Sequence, residues 1–368
     1  MRQPAQLPFM SVVVCAYNSE RVVARAIESL LAQDYPGERY EIIVVDDGSS
    51  DRTSAVAGQY PVRLARHEKN QGLAAARNTG LTHMKGDVYV SFDDDCVVDP
   101  DWLGQLALGY QHDNVAGVGS SIQEPVHLQG IVARFMSAAG SADPPSLRLG
   151  ASRNPFRRFA AYVIDQFASD QPVTGIYQVR SLNGATATFS ADILRGVGGW
   201  DTSLRAAEDN DICSRIAKKY PDLHFFTVSA ARVVHDPRMS LRRFLYRPYS
   251  RGADTLRYYR RSRLIPPIFP FPCCWFAATA LIWLINPIMG LVTAITLPQL
   301  LYIWWPARAV RERNLWHLLY AYLQLAEESA TLAGLLRGQI AFWRTADRIQ
   351  HVSGQPRPAA PDSTAPIR

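Results

Sequence analysis

Met10-Ser-Val-Val-Val-Cys-Ala-Tyr-Asn-Ser19 opens as a β-branched apolar run and closes on polar side chains. A run of this make-up reads as a buried parallel strand, and Tyr17, Asn18 and Ser19 provide the polar break at which a helix can start. The helix is specified by Val22, Val23, Ala26, Ile27, Leu30 and Leu31, which form one apolar stripe at helical spacing before Pro36-Gly37 ends it. The pattern then repeats. Glu41-Ile-Ile-Val-Val-Asp46 is a second buried strand, broken at Asp47-Gly48-Ser49-Ser50. A helix, a weaker strand at residues 62–64, a helix from Leu73 and a further strand, Asp87-Val-Tyr-Val-Ser-Phe92, follow. Alternating strands and helices of this length specify an α/β domain with a mostly parallel sheet flanked by helices. Ligands of such sheets bind beyond the carboxyl ends of the strands. Three of those ends carry Tyr17-Asn18, Asp46-Asp47 and Asp93-Asp94-Asp95, so polar groups are expected to meet on one edge of the sheet.

Outward from this core the reading is less regular. Residues 120–179 show no clean period, contain Pro144-Pro145 and several Arg, and read as a long insertion or an acceptor-facing segment. Order returns with a strand at residues 185–190, a Gly196-Val-Gly-Gly199 turn, a helix from Glu208 to Lys219 with Ile212 and Ile216 inward, and a strand at residues 224–228. No charged side chain and no His occurs between Arg263 and Arg308, whereas roughly 20 apolar residues suffice to cross a bilayer. Pro266, Pro267, Pro270 and Pro272 delay a helix there and Asn286-Pro287 interrupts it, so two short legs are expected, as an even number of crossings or a re-entrant hairpin with positive flanks inside. Residues 315–336 include His317, Glu327 and Glu328 and read as an amphipathic helix lying on the membrane.

Across 368 residues, 48% hydrophobic and 20% charged side chains exclude disordered, collagenous and disulfide-stapled classes. The net charge of +6 is one patch, because residues 232–263 hold ten Arg against Asp236 and Asp254. Beside an apolar tract, such a patch points to anionic membrane lipids or a phosphorylated substrate and not to nucleic acid. Five cysteines without paired spacing fit a reducing compartment. No cleavable secretion signal is visible before the first strand, so the catalytic part is expected to stay in the cytosol.

Asp93, Asp94 and Asp95 repel one another unless protons or a cation intervene, and a hard Mg²⁺ or Mn²⁺ bridging to a diphosphate is the economical partner. Asp46 and Asp47 suit either a backbone turn or recognition of a base and ribose. Neither a G-x-x-x-x-G-K-[ST] loop nor a G-x-G-x-x-G fingerprint is present, so phosphates must be held by metal and basic side chains. Glu208-Asp209-Asn210-Asp211 opens a helix, where acids are favoured by the macrodipole; the same field keeps Asp209 ionised for work as a base. His235 reads as a metal ligand or a surface residue.

Taken together, Ser11-Val-Val-Val-Cys-Ala-Tyr-Asn18, Val45-Asp-Asp-Gly-Ser-Ser-Asp51, Asn70-Gln-Gly-Leu-Ala-Ala-Ala-Arg-Asn78 with Gly80, Phe92-Asp-Asp-Asp95, Gly198-Gly-Trp-Asp201 and Glu208-Asp209 resemble the family 2 glycosyltransferases with a GT-A, Rossmann-like fold. The likeness runs over residues 11–235, and the basic segment with its apolar legs is similar to the membrane-attached members. It implies inverting transfer from a nucleotide-diphosphate sugar, with UDP the commonest carrier. Ala16, Tyr17, Asn18, Asp46 and Asp47 would surround base and ribose, and Arg77 would approach the nucleotide or its phosphates. Asp93 and Asp95 would take the D-x-D positions, with Asp94 between them on the donor; Asp95 would be the direct metal ligand and His235 a second. Asp209 would be the base, with Glu208 beside it. Asn183, Gly184 and Trp200 would face the acceptor.

The Q-x-x-R-W motif of processive synthases is absent after Asp209, so transfer of one sugar is expected, to a lipid-linked or membrane-proximal glycan at the inner (cytoplasmic) membrane. A sugar-phosphate nucleotidyltransferase would need a Gly-rich, Lys-bearing loop that residues 11–18 lack. An inactive membrane-attached scaffold retaining the fold is the alternative, and Asp95 together with Asp209 argues against it. The expected division is a catalytic domain at 1–235, a basic juxtamembrane segment at 236–265, an apolar hairpin plus amphipathic helix at 266–345 and a disordered tail at 346–368.

Overall fold

The computed structural model describes residues 7–123, 130–139, 154–167, 174–235, 240–261 and 269–353. Its first strands are β1 (Met10–Ala16), β2 (Tyr40–Asp46), β3 (Arg63–Arg66) and β4 (Val88–Asp93). They lie side by side in the order β3-β2-β1-β4, all parallel. Five more strands extend the sheet: β5 (Cys96–Val98), β6 (Val115–Gln123), β7 (Ile176–Val179), β8 (Thr188–Ser190) and β9 (His224–His235). Beyond β4 the order is β8-β6-β9-β5, with β7 also on β9, and only the β6–β9 pair is parallel. The parallel sheet expected from the sequence is therefore its N-terminal half, joined to a mixed half by the short β8.

Both faces of β1 are buried, which is why its sequence is a continuous apolar run without alternation. Val12 and Val14 face helix α1 (Val23–Leu31), whose Val23, Ala26, Ile27 and Leu30 share one core with Phe92 and with Trp102 and Leu106 of α4 (Trp102–Gly109). Val13 and Cys15 point the other way, into a second core with α3 (Leu73–His83), α7 (Ala191–Gly196) and α8 (Glu208–Lys219). The short α2 (Thr53–Ala57) completes the turn after β2. Gly48 in that turn has φ +73°, and a β-carbon there would run into the Lys69–Asn70 backbone, so the Asp-Gly pair is required by geometry.

A third core is largely aromatic. Val132 and Phe135 of α5 (Ile131–Ala138) and Tyr162 of α6 (Pro155–Phe167) pack with Phe244, Tyr302, Trp304, Trp305 and Tyr320. Parts of the irregular stretch 120–179 thus lie against the C-terminal helices. Those helices are α9 (Leu241–Arg261), α10 (Pro270–Ile285), α11 (Pro287–Leu301), α12 (Trp304–Arg311) and α13 (His317–Ser353). Pro270 and Pro272 sit in the first turn of α10, where no N–H is needed, so they start that helix and do not delay it. Asn286 caps α11, its Oδ1 accepting from the Ile288 and Met289 N–H groups at 3.0 and 3.1 Å.

At 1.5 Å per residue α10 and α11 are each about 24 Å long. They pack as a hairpin whose outer side chains, among them Leu284, Ile285 and Ile288, are exposed. Among the described residues no single helix is long and apolar enough to cross a membrane; α11 and α12 pass such a test together, bent by 71°. The acidic group that suggested an amphipathic surface helix is turned inward: Glu328 accepts hydrogen bonds from Tyr162 and Tyr302, and Gln324 from the Trp304 and Trp305 indoles. α13 continues to Ser353, past the boundary expected at 345. Pro144-Pro145, Pro266, Pro267 and the tail beyond Ser353 lie outside the described residues.

α9 and α13 meet through small residues. A β-carbon on Gly252 would strike the Gly334 backbone, and one on Gly338 the backbone of Ala253. Gly252→Leu is expected to wedge the pair apart and cost about 1–3 kcal/mol, the usual penalty of overpacking. Thermal unfolding checks this, and an unchanged midpoint would show that the helices do not need this approach.

Candidate active site

Parallel pairing brings the ends of β1, β2 and β4 together. Ala16 is buried, and the Asp47 N–H donates to its carbonyl at 2.9 Å. Tyr17 stands out, 49% exposed, with its N–H 3.3 Å from Asp94 Oδ2. Asn18 takes φ +53°, a left-handed turn that Asn tolerates, and its Oδ1 accepts from the Ser50 N–H at 2.9 Å. Asp46 and Asp47 are not on the surface of this edge. Asp46 is 0% exposed and accepts from the Ser49 N–H at 2.9 Å and from the Ser54 hydroxyl. Asp47 accepts from the Gln71 and Gly72 N–H groups at 2.9 and 2.8 Å and faces His67 Nδ1 at 2.7 Å. Both carboxylates hold the loops that follow β2 and precede α3.

The three consecutive acids splay apart. Asp93 turns toward Arg77, with its Oδ1 3.5 Å from Nη2. Asp94 takes a hydrogen bond from the Ser19 hydroxyl, and Asp95 meets His235 Nε2 at 3.1 Å. The last contact is made by sheet pairing, because Cys96 of β5 is in register with His235 of β9. Burial pushes Asp94 up to about 7, with Asp95 and Asp93 adding to the effect of burial against the Ser19 hydrogen bond. Asp93 is raised for the same first reason despite Arg77. Burial opposes a charge on His235, but the Asp95 hydrogen bond and carboxylate win and raise its pKa. A cluster so short of positive charge has room for a cation.

The ligand atoms of Asp95, Cys96 and His235 lie within 4.8 Å of one another. Burial drives the Cys96 thiol far above its ordinary value, so it stays protonated. Asp95 and His235 are then the pair whose oxygen and nitrogen suit Mg²⁺ or Mn²⁺.

Arg77 lies beneath the site and not on it. Only 1% exposed, it donates to Glu208 Oε1 and to the Gly184 carbonyl, each at 2.9 Å. Burial opposes its charge, yet Glu208 and Asp93 more than compensate and raise its pKa. Asp209, in the first turn of α8, accepts from the Asn210 N–H at 2.8 Å and from the Gly184 N–H at 3.4 Å. Burial, then the Glu208 charge, push Asp209 up to about 6 against the pull of Arg77. The preceding Ala207 holds φ +63°, an unusual strain for a residue with a β-carbon, and it sits next to the two acids.

Gly184 is wedged between Arg77 and Asp209, since a β-carbon would meet Arg77 Nη2 at 2.9 Å and Asp209 Cβ at 3.1 Å. Asn183 accepts from the Ala185 N–H at 3.0 Å within its own turn. Trp200 is 3% exposed, packs its ring 4.9 Å from that of Tyr89, and exchanges hydrogen bonds of 2.8 Å with Asn78. It belongs to the core and not to an acceptor-facing surface.

A family model described as "Glycosyl transferase family 2" matches residues 11–127, from the first strand past the triple acid. Residues 11–127 belong to glycosyl transferase family 2. Similar curated proteins include glycosyltransferase AglE of Haloferax volcanii, 31% identical over 122 residues, or 32% of this chain and 40% of that one. Succinoglycan biosynthesis protein ExoO of Rhizobium meliloti is 37% identical over 41% of this chain and 44% of its own length. Pre-mycofactocin glycosyltransferase of Mycobacterium tuberculosis is 27% identical over 65% of this chain and 45% of its own. The chain spans less than half the length of these three relatives. Among solved structures, a mannosyltransferase from Pyrobaculum calidifontis in complex with GDP-Man and Mn²⁺ covers 90% of this chain and 91% of its own, with a TM-score of 0.53 at 20% identity. That likeness is one of GT-A fold, and it includes the C-terminal helical region.

Sequence reasoning about the family 2 motifs missed Ser19, which holds Asp94, and Arg247 of α9, whose charge is felt by Asp95 and His235. The signal for Arg247 was available as a helical repeat, Arg243, Arg247 and Arg251.

Proposed function

We propose that the protein is an inverting glycosyltransferase that moves one sugar from a nucleotide-diphosphate sugar to a hydroxyl of a lipid-linked or membrane-proximal glycan acceptor, at the cytosolic side of the inner membrane. One observation carries the reading. Asp95 with His235, and Asp209 with Glu208, stand at the same sheet edge, joined underneath by Arg77, which pairs with Asp93 on one side and Glu208 on the other.

Asp95 and His235 would hold the Mg²⁺ or Mn²⁺. Bound there, the cation would neutralise charge on the diphosphate leaving group. Asp209 takes the proton of the acceptor hydroxyl as that oxygen bonds to the anomeric carbon and the bond from this carbon to the diphosphate oxygen breaks. A single displacement inverts the configuration. Arg77 links Glu208, beside the base, to Asp93 on the donor side. Tyr17 offers an exposed ring to the nucleotide, and Asp46 and Asp47 position the loops around it through their hydrogen bonds to Ser49, Gln71 and Gly72. The exposed apolar hairpin, with arginines before and after it, supports membrane attachment.

The test is thermal stability with UDP, GDP, dTDP and CDP, each with and without Mn²⁺ or Mg²⁺, on the parent and on Asp95→Ala. UDP is the expected carrier, and the GDP-Man complex of the archaeal neighbour makes GDP the main competitor. A ligand at 100 times its dissociation constant adds about 2.7 kcal/mol. The expected result is a metal-dependent rise for one nucleotide that disappears in Asp95→Ala. A folded parent that responds to none of them would favour the inactive scaffold.

A further inference from the structure

The Gly198-Gly-Trp-Asp201 motif has no part in the reaction above. Its glycines turn the chain and Trp200 is core, which leaves Asp201 unexplained. Asp201 Oδ1 accepts from the Ser203 N–H at 2.9 Å, and its carbonyl accepts from the Leu204 N–H at 3.1 Å. The other carboxylate oxygen pairs with Arg261, the last residue of α9. One turn earlier on the same helix face, Arg257 Nη1 donates to the Ser203 carbonyl at 2.7 Å, and Asp254 Oδ1 steadies that guanidinium from 3.2 Å. Between the two, Arg260 lies over the Phe342 ring of α13 at 3.8 Å. The last turn of α9 thus grips residues 201–203 with one face and α13 with another.

The gripped loop leads straight into the helix of the base. Leu204 and Ala206 are buried, and Ala207 takes the left-handed conformation next to Glu208 and Asp209. Standing at the N-cap of α8, Ala207 has no side-chain oxygen to accept from the first turn, where Ser, Thr, Asp or Asn is usual. A strained residue persists only where its surroundings over-determine it. A helix that begins with strain and without a cap needs its first turn fixed from outside, and the α9 arginines do this four residues before Ala207. The stakes are set by Asp209, which is faced by Glu208, Arg77 and the Gly184 N–H. A shift of the first turn changes all three distances at once, and a misplacement of about 1 Å can cost roughly 10²-fold in rate.

We propose that Arg257 and Arg261, with Asp201, form a clamp through which the C-terminal helices position Asp209 for proton transfer. The inference rests on the proposed transfer reaction and adds positioning residues to it. They act through the loop and the first turn of α8, not on substrate.

The experiment uses the full chain with Arg257→Met, Arg261→Met and Arg257→Lys. Two properties are read: amide hydrogen exchange over residues 202–211, and turnover of UDP-glucose and GDP-mannose with Mn²⁺, water serving as acceptor. In that turnover the water oxygen bonds to the anomeric carbon, the bond from this carbon to the diphosphate oxygen breaks, and Asp209 takes the proton. Arg257→Met is expected to keep its thermal midpoint close to the parent's, because exposed charges contribute little to stability. Exchange over 202–211 should speed up about tenfold, a local opening that leaves β1 and α3 at parental rates. kcat should fall about three- to tenfold with the donor KM within about twofold, the low end for a charged hydrogen bond because the Arg257 side chain is 58% exposed. The acid limb of kcat, at about 6 in the parent, should move to lower pH as water reaches a carboxyl whose pKa burial had raised. Arg261→Met acts in the same direction, and Arg257→Lys, which keeps a charged donor, recovers part of each change. Faster exchange with parental kcat and limb would make the clamp structural and overturn the inference. A raised KM at parental kcat would overturn it too, by putting Arg257 on the donor, and so would parental exchange in both Met variants. A parent that turns over neither donor counts against the transfer reaction, and the exchange rate then decides for the clamp alone.

Discussion

Asp209→Asn is expected to lower kcat by about 10²- to 10⁴-fold, the usual worth of a positioned general base. Nucleotide-induced thermal stabilisation should persist, because the Asn carbonyl oxygen can keep the 2.8 Å bond from the Asn210 N–H and only the long 3.4 Å contact from the Gly184 N–H is given up. The parent enzyme carries a second signature of the same group. Burial and Glu208 raise Asp209 to about 6, so the base is ionised above that pH and protonated below it. The acid limb of kcat/KM should therefore fall as pH drops through about 6. Glu208→Gln removes a negative neighbour and should move the limb to lower pH. A limb that stays in place in Glu208→Gln, or transfer by Asp209→Asn at the parental rate, would remove Asp209 from the role.

The second large effect is on stability. Arg77→Met leaves Glu208 and Asp93 without their buried partner and the Gly184 carbonyl with the Ser91 hydroxyl as its remaining donor. Breaking a buried pair by deleting one member costs about 3–5 kcal/mol. For a domain of this size that lowers the unfolding midpoint by roughly 10 °C. Arg77→Lys should fall between the two, since one ammonium cannot serve three acceptors set around a planar fork. If Arg77→Met unfolds at the parental temperature but no longer responds to nucleotide, Arg77 acts on the ligand and its burial beneath the site is not its role.

The strand ends at Tyr17, Asp47 and Asp93 were legible because buried parallel strands are written as uninterrupted β-branched runs, and the residues after them must be polar. The helix from Glu208 to Lys219 was legible for a related reason, its inward Ile212 and Ile216 being spaced for one face. What local pattern does not encode is the direction a side chain takes once the chain turns. Asp46, Asp47 and Arg77 look like surface groups in a motif, yet each is drawn inward by backbone donors or acids from loops distant in sequence. Trp200 follows a glycine turn in sequence, and only the tertiary fold supplies Tyr89 and Phe189 to bury it. The antiparallel half of the sheet was hidden by the brevity of β8, three residues long. Arg247 was counted as part of a basic patch because its nearness to Asp95 depends on how β9 hands the chain to α9.

β9 carries one further consequence. Its first half pairs with β7, its second with β5, and β6 runs alongside both, with a register shift between Ser120 and Ser121. Because successive strand residues face opposite sides, sliding β9 by one position against β5 would turn His235 away from Asp95 while every backbone hydrogen bond could still form. The strand acts as a ruler: the distance in residues from the bulge to His235 decides whether a finished sheet also contains a usable metal pair. A copy with one residue too many between them is expected to complete the same sheet with His235 facing away from Asp95.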